Sequence, residues 1–379
     1  MNNKRIVFVT TNLGWGGSEE LWSGTALHLA NSGFSVSASI GFSPSHERMV
    51  ELSSRGVDIH YRPAQYPLMR RAMAKLSNSG ESPVDVDIQR FLTDRTPTLV
   101  VISDGFGLLR SASVLDFLFK VKMPFVTLSH LHGEIFWPDD EQAAGFRRNL
   151  ALAKRCYFVS EANRRLFEKQ IGSELLNAEI ICNPFNVDLN AAPQWPPFDD
   201  KGTLCLASVG RLEPLMKGQD ILLEALAASD WRDRNWQLTF FGEGPMKNCI
   251  ERLVQHFHLE GRVRFAGYVK SVEQIWAENH VLVMASRYEG MPLVIVEAMI
   301  CARPVVATNV AGHSEIIKDG ITGFLADTAT ASSVRGALER MWKKRFEIES
   351  IGKAGAASIR KHVPSNPART FAEKIITFC

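Results

Sequence analysis

Short apolar runs alternate with longer amphipathic stretches from one end of the chain to the other. In the first half the runs predict strands at Ile6–Thr10, Phe34–Ile40, Val57–Tyr61, Thr98–Ser103, Phe125–Ser129, Cys156–Ser160 and Glu179–Cys182. Each is followed by a helix-like stretch or a turn, the pattern of a parallel sheet covered on both faces. The pattern pauses at Asn183-Pro184 and crosses a proline-rich stretch from Pro193 to Gly202, which reads as an interdomain linker. It restarts with strands predicted at Leu204–Val209, Trp236–Phe241, Val263–Ala266, Val281–Ala285 and Pro304–Ala307. From about Ile348 to Cys379 the tail is helical in pattern, with breaks near Pro364 and Pro367. Two doubly wound halves with a cleft between them follow: a first domain over 1–185, a linker over 186–202, a second domain over 203–355 and a closing helix over 356–379. Folds of this kind take ligands outside the carboxyl ends of their strands.

Composition narrows the function without naming it. At 379 residues the chain exceeds the size at which one core keeps growing. Its net charge of +2 lacks the concentrated Lys and Arg of a nucleic-acid binder. The six cysteines are scattered with no CxxC spacing, so zinc and dithiol motifs are missing and a reducing compartment fits best. The run Ile6–Val9 is too short for a signal-peptide core, and no window approaches about 18 uncharged apolar residues. The expectation is a cytoplasmic protein, with contact at the inner face of the membrane left open. Within the less orderly region 63–86, Leu68, Met69, Met73 and Leu76 lie among Arg70, Arg71 and Lys75. These form either a basic amphipathic helix for a membrane surface or an ordinary surface segment, the second being the more economical reading.

Four strand-end motifs carry candidate chemistry. The first is Gly16-Gly17-Ser18-Glu19, after the first strand and before a helix. Its glycines allow close backbone approach, and Ser18 can cap the helix while leaving amides for an anion. An ordinary strand-to-helix turn explains it equally well. In the second, Gly210-Arg211 through Lys217-Gly218, a planar cation and a mobile one follow the second domain's first strand, suited to a diphosphate. The third is Phe241-Gly242-Glu243-Gly244-Pro245, where Glu243 is a ligand contact or merely a carboxylate at a helix start. The fourth, Ser286 to Met299, is the sharpest: Glu289-Gly290-Met291-Pro292-Leu293-Val294 leads into an apolar run containing Glu297. Pro292 fits the first turn of a helix, whose Leu293 and Val294 amides would face an anion. A charge in that apolar run needs partners. A ribose diol would serve, and so would a salt bridge from Arg287 or Arg303.

The ordered set, followed by Arg303-Pro304-Val-Val-Ala-Thr308 and Gly312, resembles the retaining glycosyltransferases of family 4, whose members have the GT-B fold of two Rossmann-like α/β domains facing a central cleft. The hallmark of that family, two glutamates separated by seven residues, falls on Glu289 and Glu297. The resemblance covers nearly the whole chain and is strongest from Ala207 to Leu325. It implies transfer of a sugar from a nucleotide-sugar donor such as a UDP- or GDP-sugar, with retention and without metal or other cofactor. It places Gly16 and Gly17 against donor phosphate or sugar and makes Arg211 and Lys217 the diphosphate clamp. Glu297 then falls on the ribose, Glu289 beside the transferred sugar, and Val269 of Ala266-Gly-Tyr-Val269 against the base. The active-site histidine falls on His130, with His132 of His132-Gly133 as the alternative; either is otherwise an ordinary structural histidine. The tail helix returns to the first domain.

The acceptor implied is a glycan, a lipid-linked molecule or a small molecule, and the oligomeric state is open. Two departures stand out: the acidic pair Glu19-Glu20 beside the glycines, and Asp104-Gly105 at a strand end where relatives often carry a histidine. Asp85-Val-Asp87 reads as helix capping rather than a metal motif. Three other classes fit parts of the pattern: a nicotinamide-dependent enzyme, a GT-B hydrolase, epimerase or phosphorylase, and a donor-binding protein without catalysis. The imperfect glycine turn argues against the first.

Overall fold

In the computed structural model the described residues are 4–12, 15–41, 47–63, 82–105, 108, 111–130, 137–198 and 202–379. They form two units, residues 1–184 with 366–379, and residues 185–365. His132, Gly133 and the segment from Leu68 to Leu76 lie outside the described residues.

The first unit holds seven parallel strands: β1 (Arg5–Thr10), β2 (Ser35–Ile40), β3 (Asp58–Tyr61), β4 (Leu99–Asp104), β5 (Phe125–Ser129), β6 (Arg155–Phe158) and β7 (Ala178–Ile180). Their order is β3-β2-β1-β4-β5-β6-β7, so the winding reverses between β1 and β4, where Ile6 pairs Leu99 and Phe8 pairs Val101. β4 is buried throughout, which is why its sequence reads as one apolar run rather than an alternation. The helix Pro83–Arg95 begins with proline and is capped by Ser82, whose hydroxyl accepts the Asp85 N–H at 3.2 Å. Asp85 returns the favour to the Ser82 N–H at 3.1 Å, and Asp87 faces His60 at 3.1 Å. Capping thus accounts for Asp85 and the contact with His60 for Asp87.

The second unit holds six parallel strands: β8 (Leu204–Val209), β9 (Trp236–Phe241), β10 (Val263–Gly267), β11 (Val281–Met284), β12 (Val305–Thr308) and β13 (Phe324–Ala326), in the order β10-β9-β8-β11-β12-β13. Its switch point lies between β8 and β11. β13 has no counterpart among the expected strands, because three apolar residues inside a glycine-flanked turn are too few to register as a run.

Two boundaries differ from expectation. Residues 186–198 belong to the second unit rather than to a free linker. Arg303 donates from its guanidinium to Pro193 O (3.3 Å) and Gln194 O (2.7 Å), and Arg360 reaches Leu189 O (2.9 Å) and Ala191 O (2.8 Å). His280 Nε2 donates to Pro196 O at 3.0 Å. The tail is two helices, not one over 356–379. Ile348–His362 stays with the second unit because Gly352 lets it approach the loop at Ala302, whose carbonyl oxygen would lie 2.1 Å from any Cβ there. After Pro364 the helix Pro367–Ile375, capped by Asn366, joins the first unit. There Phe371 meets Tyr157 edge to face at 5.0 Å, and Thr25 donates to Ala368 O at 3.1 Å.

Candidate functional site

The second and fourth motifs leave the sheet on the two sides of the β8–β11 switch point, where doubly wound sheets bind ligands. The glycines do steric work first. Gly242 has φ +122°, and a Cβ on it would lie 2.3 Å from Gly210 O. A Cβ on Gly244 would lie 2.5 Å from Leu212 N. The third motif therefore lets the β9 loop cross the β8 loop backbone to backbone. Glu243 contributes its carbonyl to this crossing, accepting the Leu212 N–H at 3.0 Å, while its side chain is exposed. Val269 is half-buried in the loop after β10.

Lys217 ends the short helix Pro214–Lys217, which Gly218 closes at φ +62°. A Cβ at Gly218 would lie 1.9 Å from Ala285 O, so only glycine brings this turn against the end of β11. From there the Lys217 ammonium reaches Glu289 Oε1 at 2.6 Å, and Ser286 Oγ donates to the same oxygen at 2.8 Å. Glu289 is 5% exposed. Burial pushes its carboxyl up, but Lys217 and Ser286 outweigh it and hold the group below the usual carboxylate range.

Thr308 Oγ1 donates to Ser286 O at 2.6 Å, and Thr308 O accepts from His313 Nδ1 at 2.7 Å. A carbonyl only accepts, so Nδ1 carries the proton and Nε2 is the lone-pair nitrogen. That nitrogen is buried without a hydrogen-bond partner among the described residues. Burial lowers the basicity of His313, while the Glu289 charge works the other way.

The two arginines that offered a purely structural explanation for the glutamates are engaged elsewhere. Arg287 clasps Asp220 at 2.8 and 2.7 Å, and Arg303 serves backbone carbonyls. Arg211 is largely exposed and pairs with Glu213 at 3.4 Å. Arg211 and Lys217 thus face separate carboxylates rather than converging on one anion.

The helix Leu293–Ile300 starts one residue later than expected. Pro292 is its N-cap, with φ −71° and ψ 125°, and no side chain caps it. Met291 is half-buried just before. The amides of Leu293 and Val294 have no acceptor within the helix. Glu297 is 4% exposed on this helix, and its Oε1 accepts both the backbone N–H (2.9 Å) and Nδ2–H (3.0 Å) of Asn186.

The first unit answers less simply to the motif reading. Gly16 is the N-cap of Gly17–Asn31, but its N–H donates to Glu19 Oε2 at 3.0 Å. The Gly16 amide is therefore taken by its own chain. Ser18 does not cap; its hydroxyl donates to Glu19 Oε2 at 2.7 Å. Asn12 Nδ2 holds the other oxygen of Glu19 at 2.5 Å. Burial pushes Glu19 up to about 7 despite these donors. His130 is 2% exposed at the end of β5, and its backbone N–H donates to Asp104 O at 2.9 Å. The Asp104 carboxylate is fully buried and accepts from Thr11 Oγ1 and Ser111 Oγ, both at 2.8 Å.

Motif reading gave no role to Asn186, His313, Asn12 or Ser286, and named Asp104 only as a departure at a strand end. Ser286 lay inside a quoted motif and carried a signal in its spacing to Glu289. Asn186 announces itself only through a partner 111 residues away, whereas Asn12 and His313 meet partners within seven residues that no motif spacing marks.

The two parallel Rossmann-like sheets have the architecture of GT-B glycosyltransferase structures. Residues 204–344 match the family model described as "Glycosyl transferases group 1". Among solved structures the chain is similar to Anabaena HepE in complex with UDP and glucose (20% identity, TM-score 0.74, covering 98% of this chain and 99% of that one). It is also similar to sucrose-phosphate synthase of Thermosynechococcus elongatus (18%, TM-score 0.72, 99% of each). Curated relatives include the putative glycosyltransferase EpsD of Bacillus subtilis, 29% identical over 37% of each chain. Another is the alpha-D-kanosaminyltransferase of Streptomyces kanamyceticus, 32% identical over 35% of each. The chain thus spans little more than a third of the length of these two relatives. Among the described residues no helix is long and apolar enough to cross a membrane.

Proposed function

We propose that this chain is a retaining glycosyltransferase that moves a sugar from a nucleotide-sugar donor to a glycan, lipid-linked or small-molecule acceptor without a metal. The observation that carries the reading is the pair of half-buried Lys217 and buried Glu289, 2.6 Å apart, at the switch point beside an uncapped helix start. An ion pair of this kind contributes little to stability compared with apolar packing of the same volume. At a ligand edge it supplies a cation for a departing diphosphate and a carboxylate for the sugar. Arg211, Lys217 and the Leu293 and Val294 amides stabilise charge on the leaving group. Glu297 takes the ribose hydroxyls, with Val269, Met291, Pro292 and Glu243 around the nucleotide. His130 and the loop at Gly16-Gly17 are the first unit's candidates for contact with the donor sugar. The work is assigned to the cytoplasmic face of a membrane or to the cytosol.

The test is calorimetric titration of UDP, GDP and ADP, with EDTA and separately with Mg²⁺, into wild type and Arg211→Ala. One nucleotide binds in EDTA, and the variant weakens it about 10- to 100-fold, the worth of one hydrogen bond to a charged group. Binding of none by folded protein, or binding only with Mg²⁺, refutes the scheme as stated.

A further inference from the structure

The crossover stretch 186–198 contains no helix or strand, yet it is gripped along its length. Arg360, Arg303 and His280 hold its carbonyls at Leu189, Ala191, Pro193, Gln194 and Pro196. Its first grip runs the other way. At Asn186 the strap donates, and the acceptor is Glu297, 111 residues on, through two bonds to one oxygen.

We infer that Asn186 is a positioning residue of the nucleotide site, clamping Glu297 Oε1 so that the carboxylate meets the donor's ribose hydroxyls in a fixed plane. This rests on Glu297 being the ribose carboxylate, as proposed above. A glutamate side chain loses up to about 2 kcal/mol of rotamer freedom when ordered. Two donors from one residue impose that order before the ligand arrives, so less is lost on binding. The backbone N–H of residue 186 is available whatever its side chain. The carboxamide is the part particular to asparagine, and it adds the second bond that stops rotation about the first. The clamp is stiff because the strap behind it is anchored by the three basic side chains.

The experiment compares the nucleoside diphosphate that wild type binds with its 2′-deoxy and 3′-deoxy forms, in wild type, Asn186→Ala and Asn186→Ser. Wild type prefers the ribonucleotide about tenfold, the worth of one hydrogen bond to a charged group. In Asn186→Ala the ribonucleotide weakens by a similar factor while the deoxy forms hardly change, so the preference collapses towards one. Serine restores part of it, and carries the test should the alanine variant not fold. Equal weakening of all three nucleotides, or an unchanged preference, overturns the inference and leaves Asn186 as a mere anchor of the strap. Wild type that binds nucleotide without preferring ribose overturns the assignment of Glu297, and wild type that binds none overturns the donor site itself.

Discussion

Lys217 has two suitors. Its ammonium is committed to Glu289 at 2.6 Å, and a donor diphosphate would compete for it. Glu289→Gln keeps an acceptor for Ser286 but removes the charge that restrains Lys217. The expected outcome is nucleotide affinity equal to wild type or tighter, with sugar transfer slowed at least about 100-fold, the usual cost of removing an electrostatic group from a preorganised site. Titration and turnover measured side by side check this; loss of both in parallel would mean that Glu289 only holds the fold. The converse change, Lys217→Met, strands a 5%-exposed carboxylate and destabilises the second unit by about 1–3 kcal/mol in chemical denaturation. His313, with its tautomer set by Thr308 O, was invisible in the motif reading because nothing local distinguishes it from a core histidine.

The strap 186–198 and the glycine turns decide how the elements meet. Arg303 is 1% exposed and donates to Trp276 O, Asn279 O and Cys301 O as well as to the strap. Arg303→Met leaves those carbonyls unpaired and is expected to cost about 3–5 kcal/mol, with proteolysis appearing first between residues 186 and 198. Cleavage elsewhere, or none, would show that the strap is held by other means. Most strands were legible because a strand buried on both faces must be a continuous apolar run. β13 was not, being three residues long. The proline-rich stretch read as a linker because composition records low regularity, whereas its attachment depends on Arg303, His280 and Arg360 from three remote elements.

At the scale of the molecule, one buried group in each unit is expected to contribute to stability with opposite dependence on pH. Glu19 in the first unit is raised to about 7, chiefly by burial. The buried acid form is the favoured one, so its contribution is full below the unfolded carboxyl value of about 4.5 and is lost as pH rises through 7. His280 in the second unit is lowered to about 4, again chiefly by burial. Cys205 N–H donates to its Nδ1 at 3.0 Å and Nε2–H holds the strap, so protonation must break the first bond. Its contribution is full above about 6.5 and is lost as pH falls towards 4. Each effect amounts to at most about 3 kcal/mol. Denaturation of wild type, Glu19→Gln and His280→Gln between pH 4.5 and 7.5 should show differences that slope oppositely. A flat difference for either variant refutes its assignment.

Read without its partners, the chain already dictates two doubly wound parallel sheets and the strand-end loops that carry charge, while the strand order that sets the switch points belongs to the tertiary structure. Apolar runs, strand-end glycines and prolines act over a few residues and need no distant help. Folding alone decides which charge meets which. Glu297 finds Asn186, Lys217 finds Glu289 rather than Arg211's side, and the Gly16 amide turns to Glu19. A buried carboxylate must be satisfied by whatever donor the packing delivers, and in two of these three cases that donor lies tens of residues away along the sequence.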